Sequence, residues 1–374
     1  MAAVDSFSLL MREIGRSYHY CVEMLAVMGA FYASKVCITV LSDTYVLIRV
    51  HFVPRIFGRP DLSKRYGKWA VVTGGTSGIG LSYARELASY GVNLIMISRN
   101  REELEAAAKE IMETYNISTS TVVTDFSKGR EAYPVIKKAL EGKEIGVLVN
   151  NVGVLSPLPD SFTSLTESQV WEFINVNIGA ANMMAHLVLP GMVQRKKGAI
   201  VNVSSLSCCN PCPRYTAYSA SKTYLDHFSR SLHYEYASQG IFIQSLIPFF
   251  VCTDVTTLSS TLSKMSFFVP SPDEYVRHAV TTLGVSRRTT GYWPHTLLMI
   301  LARACALSEK AHAATVRWLE CNYACALAKV VPPAGQFFVG GGGTAPGLPV
   351  PEGAALRRRP FFTEGASPTL LGRS

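Results

Sequence analysis

The amino-acid sequence predicts an α/β fold, a doubly wound parallel β-sheet with helices on both faces. Two observations predict it. Short β-branched segments alternate with helical stretches from Trp69 to about Val251, as in consecutive βαβ units. A glycine-rich turn stands between the first of these strands and the first of these helices. One unit of about 250 residues fits within the chain and leaves material at both ends, so we predict a single core domain with extensions.

The elements of this domain can be read in chain order. Six strands are predicted, at WAVVT, VNLIMIS, STVVTDF, IGVLVNN, GAIVNVSS and IFIQSLIP. Helical periodicity covers the residues between them, at 79–90, 100–115, 130–141, 167–196 and 216–238. Two further helical segments, 271–285 and 297–329, complete a domain that we expect to span 61–330.

Residues 1–60 form a hydrophobic segment ahead of the domain. Its apolar runs at 24–33 and 36–41 are separated by Lys35, and each is too short to cross a bilayer. Residues 21–50 together fit an interfacial membrane-associating segment, one tilted membrane span or a buried helical hairpin, and we favour the first. The segment lacks a signal-peptide cleavage site, and its balanced charges mark a mitochondrial address only poorly.

Residues 331–374 differ sharply in composition from the domain. They contain Pro332-Pro333, the glycine run 340–343 and repeated proline and alanine. Such a segment cannot bury enough apolar surface to offset its conformational entropy. We therefore predict a disordered tail.

The net charge indicates which partners the protein can bind, and the cysteine content indicates its redox compartment. The net charge of +9 suits an anionic partner, such as a phosphorylated cofactor, an acyl-CoA or an acidic lipid surface. Because the basic residues are scattered, we expect no nucleic acid. Nine cysteines, odd in number and irregularly spaced, argue against a secreted disulfide framework and favour a reducing compartment.

The glycine-rich turn predicts a Rossmann-type dinucleotide site. In this context Gly74 permits the tight turn, Gly78 lets the backbone approach a diphosphate, and Gly80 lets the helix pack close to the sheet. The diphosphate would sit at the helix N-terminus, where N–H groups favour anions. The predicted cofactor-binding residues of the turn are Gly74, Gly75, Thr76, Ser77, Gly78, Ile79 and Gly80.

The end of the second strand indicates which dinucleotide is bound. An NAD site would place Asp or Glu there to accept hydrogen bonds from the ribose 2′-hydroxyl. The chain instead has Ser98 and Arg99, and a guanidinium favours a 2′-phosphate by charge and by geometry. The prediction is NADP(H).

Over about residues 68–300 the sequence resembles the short-chain dehydrogenase/reductase family. The turn TGGTSGIG is similar to the family's TGxxxGxG, residues 150–153 (NNVG) to its NNAG, Asn177 to its helix asparagine, and YSASK at 218–222 to its YxxxK. Short segments such as SRN, YLDHFSR and TTGYW are similar to segments of the 17β-hydroxysteroid dehydrogenase and 3-ketoacyl-CoA reductase group, and in particular of its hydroxysteroid dehydrogenase-like branch.

The resemblance implies a carbonyl-reducing site made of Ser205, Tyr218 and Lys222. Tyr218 and Lys222 are four residues apart, so on a helix they share one face. A phenol with a pKa near 10 needs a nearby ammonium to serve as a proton relay at neutral pH. Ser205 would hydrogen-bond the substrate carbonyl oxygen while Tyr218 donates the proton. By resemblance, Asn177 would hold a water that links Lys222 to solvent.

The resemblance implies further contacts and a mode of assembly. Asp125 would contact the adenine, Asn151 and Gly153 would line the cofactor cleft, and Thr253 would approach the nicotinamide amide. Tyr218 and Lys222 would also contact the cofactor, Lys222 by holding the nicotinamide ribose hydroxyls. Homodimers would form through the helices at 167–196 and 216–238. We expect no metal, because Cys208, Cys209 and Cys212 lack a fourth ligand at metal spacing and fit a loop near the substrate mouth.

Two hypotheses of function follow. One is an NADP(H)-dependent oxidoreductase that reduces a hydrophobic ketone, steroid or ketoacyl, while attached to a membrane. The other is an inactive or very weakly active NADP-binding protein that acts through protein partners. Members of the hydroxysteroid dehydrogenase-like branch are described as inactive because phenylalanine replaces the catalytic tyrosine, whereas this chain has Tyr218, which favours the first hypothesis. Phe249 stands in place of the family's glycine and could crowd the nicotinamide, which favours the second. The resemblance favours a mitochondrial location, with the endoplasmic reticulum membrane as the alternative.

Overall fold

The computed structural model of the chain describes residues 2–56, 58, 61–156, 161–253 and 267–305, with side chains from 7 to 301. The predicted tail at 331–374 and most of the predicted helix at 297–329 lie outside these described residues.

A seven-stranded sheet forms the centre of the domain, and every strand pair in it is parallel. The spatial order is β3-β2-β1-β4-β5-β6-β7, which is the doubly wound arrangement with one strand added. The predicted fold class is confirmed. The strands are β1 Trp69–Thr73, β2 Asn93–Ser98, β3 Thr119–Val123, β4 Ile145–Asn150, β5 Gly198–Val203, β6 Ile241–Leu246 and β7 Arg288–Thr289.

Helices precede the sheet and connect its strands. The described α-helices are α1 Ala2–His51, α2 Val53–Ile56, α3 Leu62–Tyr66, α4 Gly78–Ser89, α5 Arg101–Tyr115, α6 Tyr133–Leu140, α7 Glu167–Glu172, α8 Ala180–Arg195, α9 Thr216–Tyr236, α10 Pro272–Thr281 and α11 Trp293–Cys305. A π-helix, Phe173–Gly179, joins α7 to α8, and a 3-10 turn, Leu206–Cys208, follows β5.

The core consists of two apolar layers, one on each face of the sheet. Successive strand residues point to opposite faces, so Ala70 and Val72 of β1 enter one layer and Val71 enters the other. Helices α4, α5 and α10 cover the first layer, and α6 and α8 cover the second. The carboxyl ends of the strands, where such sheets bind ligands, are thereby held in fixed positions.

Helix α1 is continuous over 50 residues, so the helical hairpin considered from sequence is not formed. Its large apolar side chains are exposed, for example Phe31 at 74% and Leu41 at 70%. By length and composition, residues 7–56 could cross a membrane, whereas the comparable segment 167–195 is half buried in the domain. The end of α1 contacts α11: His51 Nε2 lies 2.8 Å from Thr296 Oγ1, and the rings of Phe52 and Trp293 are 6.0 Å apart.

Candidate active site

The glycine turn between β1 and α4 has the conformation that its residues require. Gly74 and Gly78 have φ of 66° and 52°, in the region that favours glycine. A Cβ on Gly80 would lie 2.0 Å from the Gly74 carbonyl oxygen, so α4 approaches the turn as closely as only glycine allows. In the described part of the chain, the N-cap residue Ser77 makes no side-chain capping bond, so α4 presents its first-turn N–H groups at the carboxyl end of the sheet.

Thr73 at the end of β1 joins the glycine turn to the loop after β4. Its Oγ1 accepts hydrogen bonds from the backbone N–H groups of Asn151 and Val152, at 3.0 and 3.1 Å. The Asn151 side-chain amide donates to the carbonyl oxygens of Thr73 and Gly74, each at 3.1 Å. Asn151 therefore holds the glycine turn in place through its hydrogen bonds to the Thr73 and Gly74 carbonyl groups. Thr73 was not singled out from sequence, although it opens the TGGTSGIG motif.

The residues predicted to contact the ribose and adenine lie at the ends of β2 and β3. Thr76 Oγ1 and Ser98 Oγ are 3.2 Å apart, and Arg99 is exposed directly after β2. The Asp125 carboxylate accepts a 2.9 Å hydrogen bond from the Ser127 N–H and so caps a 3-10 turn. Partial burial raises the pKa of Asp125, but the Ser127 hydrogen bond and the charge of Arg99 outweigh this effect, so the pKa is below its usual value.

The structure brings Ser205, Tyr218 and Lys222 together beside the end of β5. Tyr218 and Lys222 lie one turn apart on α9, and the side chains of Ser205 and Tyr218 hydrogen-bond each other. Lys222 is buried, with its Nζ 5.6 Å from the centre of the Tyr218 ring and donating to the Val203 carbonyl oxygen at 2.9 Å. The phenol thus lies between a hydroxyl and a buried amine.

Burial changes the pKa values of Tyr218 and Lys222 so that each side chain favours its neutral form. It raises the pKa of Tyr218, and the hydrogen bond from Ser205 only partly opposes this. It lowers the pKa of Lys222 from 10.5 to about 8. Tyr218 is therefore a protonated phenol at neutral pH, the form that can donate a proton.

Asn177 lies in the π-helix and ties the loop after β4 to α9. Its Oδ1 accepts from the Val154 N–H at 2.7 Å, and its Nδ2 donates to the Val154 carbonyl and to Ser221 Oγ, both at 3.0 Å. A Cβ on Gly153 would lie 3.3 Å from Lys222 Nζ, so the loop passes close to the amine. The side chain of Asn177 is thus engaged by protein atoms, and sequence reasoning had not identified Ser221 as one of them.

Tyr218 lines a small cavity. The described residues leave a volume of about 10 Å³, which is room for one water molecule. The lining is largely apolar and includes Phe162, Leu165, Phe173 and Tyr215.

The segment after β6 is fixed by a buried histidine. His295 Nδ1 accepts from the Phe249 N–H at 3.3 Å, and its Nε2 donates to the Phe268 carbonyl oxygen at 3.0 Å. Burial lowers the pKa of His295 to about 4, so the ring is neutral and can play both roles. The ring of Phe249 packs on that of His295, with centroids 5.6 Å apart. Thr253 lies beside the glycine turn, its Cγ2 3.1 Å from where a Cβ on Gly78 would be.

The fold and the glycine turn define an α/β protein of the nucleotide-binding, oxidoreductase class. The chain matches the short chain dehydrogenase family model over residues 68–262. It therefore belongs to the short-chain dehydrogenase/reductase family.

Known relatives lie in the branch expected from the sequence. The chain is 59% identical to the inactive hydroxysteroid dehydrogenase-like protein 1 of Pongo abelii, over 81% of this chain and 92% of the relative. It is 45% identical to the very-long-chain 3-oxoacyl-CoA reductase of Anas platyrhynchos, over 64% of this chain and 77% of the relative. Among solved structures, a short-chain dehydrogenase from Sphingobium yanoikuyae in complex with NADPH is similar, with a TM-score of 0.55 and 26% identity over 66% of this chain and 94% of that chain.

Proposed function

We propose that the protein is an NADP(H)-dependent oxidoreductase that reduces a hydrophobic ketone of the steroid or ketoacyl type. The observation that carries the proposal is the contact between Ser205 and Tyr218 above the buried Lys222, at the ligand-binding edge of the sheet. The names of the relatives support the two substrate types, one a hydroxysteroid dehydrogenase-like protein and the other an oxoacyl-CoA reductase.

The residues at the carboxyl ends of β1 to β4 fit a dinucleotide. The glycine turn would hold the diphosphate at the N-terminus of α4, and Arg99 would bind the 2′-phosphate. Asp125 would contact the adenine, and Asn151, Gly153 and Thr253 would line the remaining cleft. Serine rather than a carboxylate ends β2, which favours NADP(H) over NAD(H). When bound, NADP(H) supplies the hydride.

The side chains around the carbonyl then divide the remaining work. Ser205 donates a hydrogen bond to the carbonyl oxygen, where negative charge develops. Tyr218 gives its proton to that oxygen, and the Lys222 ammonium stabilises the phenolate that remains. We propose that Asn177 holds a water that returns a proton to Lys222. Both Nδ2 protons of Asn177 are donated to Val154 and Ser221, so this water would donate to a carbonyl oxygen of Asn177.

The test is NADPH oxidation followed by absorbance across steroid, retinoid and 3-ketoacyl substrates. We expect turnover with at least one apolar ketone and a loss of about 100-fold or more in the Tyr218→Phe protein. Turnover that survives this change would refute the proposed mechanism.

A second candidate is a non-enzymatic NADP-binding protein that acts through protein partners. The name of the Pongo abelii relative, an inactive hydroxysteroid dehydrogenase-like protein, favours it. Under this candidate, NADPH would raise the melting temperature, and no ketone of the panel would be reduced. The same two measurements therefore separate the candidates.

We also propose that α1 attaches the protein to a membrane, and that this membrane is mitochondrial rather than that of the endoplasmic reticulum. In addition, we propose that two copies of the chain form a homodimer through α8 and α9. The exposed apolar surface of α1 supports the first part, and exposed Met183 on α8 and Tyr224 on α9 support the second. Imaging of the tagged full-length chain with organelle markers tests the location. Light scattering of detergent-solubilised protein tests the pairing.

A further inference from the structure

A cluster of sulfur atoms lies in the turn that follows Ser205. The Sγ atoms of Cys208 and Cys209 are 3.9 Å apart, and Nη2 of Arg288, on β7, lies 3.6 Å from Cys209 Sγ. Both cysteines are partly exposed. Cys209 therefore contacts both a cation and a second thiol and remains partly exposed to solvent.

The charges around Cys209 leave a place for one more negative group. Arg288 uses its Nε to bond both carboxylate oxygens of Asp226, at 3.0 and 3.1 Å, which leaves its Nη2 for the sulfur. Arg230 lies 3.7 Å from the same carboxylate. Two guanidinium groups thus face one carboxylate, and a thiolate at Cys209 would balance the second positive charge.

The two thiols behave as a pair in which one ionises. The contact with Cys208 and the charge of Arg288 lower the pKa of the Cys209 thiol, against the opposing effects of burial and Asp226. The same contact, together with burial, raises the pKa of Cys208. The anion therefore belongs on Cys209, the member of the pair that contacts Arg288.

We propose that Cys209 is a covalent modification site for soft electrophiles, such as α,β-unsaturated ketones and aldehydes. The thiolate sulfur forms a bond to the β-carbon, the carbon–carbon π pair shifts to form the double bond of an enolate, and the carbonyl π pair moves onto oxygen. The enolate then takes a proton from water at its α-carbon, which restores the carbonyl and leaves hydroxide. Ser205 is the N-cap of the turn that contains Cys208, so the modification would lie next to the candidate site. The proposal does not depend on the proposed reductase activity.

The test is the pH dependence of iodoacetamide labelling of the full-length chain, quantified for each cysteine by peptide mass spectrometry. We expect half-maximal labelling of Cys209 at a pH clearly below the ordinary thiol value of about 8.5, because Arg288 and Cys208 favour the thiolate. At about pH 6.5 an ordinary cysteine, with a pKa of about 8.5, is about 1% thiolate, but a lower pKa also weakens the nucleophile. Since the gain in thiolate fraction exceeds this loss, Cys209 should be labelled faster than an ordinary thiol. A second labelling with methyl vinyl ketone at the same pH should modify Cys209 first.

Three variants identify the cause of the reactivity. Arg288→Met combined with Asp226→Asn removes both charges of the ion pair, and it should raise the labelling midpoint by about one pH unit or more. Cys208→Ala removes the thiol donor and should act in the same direction even if the double variant folds poorly. Cys212→Ser is the matched control and should leave the midpoint unchanged. A wild-type midpoint near the ordinary thiol value, or one that neither Arg288→Met/Asp226→Asn nor Cys208→Ala moves, overturns the proposal.

Discussion

The burial of Lys222 lowers the stability of the folded domain, because burial disfavours the charged form of the amine. Its Nζ has the Val203 carbonyl as acceptor and no carboxylate among the interactions that shift its pKa in the described residues. Holding an amine here lowers stability, yet it places a proton-binding group 5.6 Å from the Tyr218 ring. Such a cost is common where a buried group serves function rather than stability.

The lowered pKa predicts how stability changes with pH. Between about 8 and 10.5, an unfolded lysine binds more protons than the folded one, so the free energy of unfolding rises with pH across this window. Below it the penalty is constant. Relative to Lys222→Met, the wild type should gain up to about 3 kcal/mol between about pH 7 and about pH 10.5 in urea unfolding. Equal pH dependence in the two proteins would show that Lys222 is not desolvated.

Arg99 and Arg101 offer a matched pair for testing the cofactor preference. Both are exposed near the end of β2, but Arg101 is paired with Glu105 at 3.1 Å. Loss of charge-assisted bonds to a 2′-phosphate should weaken NADPH binding about 10- to 100-fold in Arg99→Ala and leave NADH binding unchanged. Arg101→Ala should bind both as the wild type does. Calorimetric titration measures all four affinities, and equal losses in the two variants would contradict this assignment.

At the scale of elements, the close approach of α4 to β1 decides whether the turn can form. A Cβ on Gly80 meets backbone, which cannot move aside, whereas a Cβ on Gly75 would lie 3.4 Å from the flexible end of Met96. Gly80→Ala should lower the free energy of unfolding by about 3 kcal/mol, and Gly75→Ala by less than about 1 kcal/mol. Denaturant unfolding gives both values. A tolerated Gly80→Ala would mean that the helix is not held so tightly.

Six of the seven strands could be predicted from the sequence because each is a run of β-branched residues bounded by turns. The strand β7 could not, since its two residues, Arg288 and Thr289, carry no periodicity and pair only because β6 is already in place. The sequence left residues 21–50 open between an interfacial segment, one tilted span and a helical hairpin, because Lys35 and Asp43 interrupt the apolar runs. They do not interrupt the helix.

Within the site, what could be predicted followed from local motifs. The turn at 74–80 and the spacing of Tyr218 and Lys222 each depend on residues close together in sequence. The pair Asp226–Arg288 and the histidine bridge at His295 join residues far apart in the chain, and no local pattern marks them. The partners of Cys209 are of this second kind, so its reactivity could be inferred only from the fold.

At the scale of the whole molecule, the proposed membrane attachment of α1 would determine which side of the domain faces the lipid. The chain end of α1 meets α11 where the ring of Phe52 contacts that of Trp293, and Trp293 also contacts Phe267 of the segment after β6, with ring centroids 5.3 Å apart. If α1 lies in a membrane, this side of the domain faces the lipid, where an apolar ketone would be concentrated.

Flotation with phosphatidylcholine vesicles tests the membrane proposal. The full chain should float, and a chain without residues 2–47, which retains the contacts of His51 and Phe52 with α11, should not. In the full chain, Leu25→Lys with Phe31→Lys should also weaken flotation, because a lysine at the centre of a membrane helix costs about 3 kcal/mol. Flotation of the truncated protein would assign membrane binding to another part of the chain.

The central claim is that Tyr218, with Ser205 and Lys222, completes a working reductase site. It is tested most directly by incubating the enzyme with NADPH deuterated at the transferable position and an apolar ketone, and analysing the product by mass spectrometry. We expect an alcohol that carries deuterium on the former carbonyl carbon, formed by the wild type and lost in Tyr218→Phe, while both proteins bind NADPH equally. Absence of labelled alcohol from the wild type with every ketone, despite normal NADPH binding, would contradict the claim.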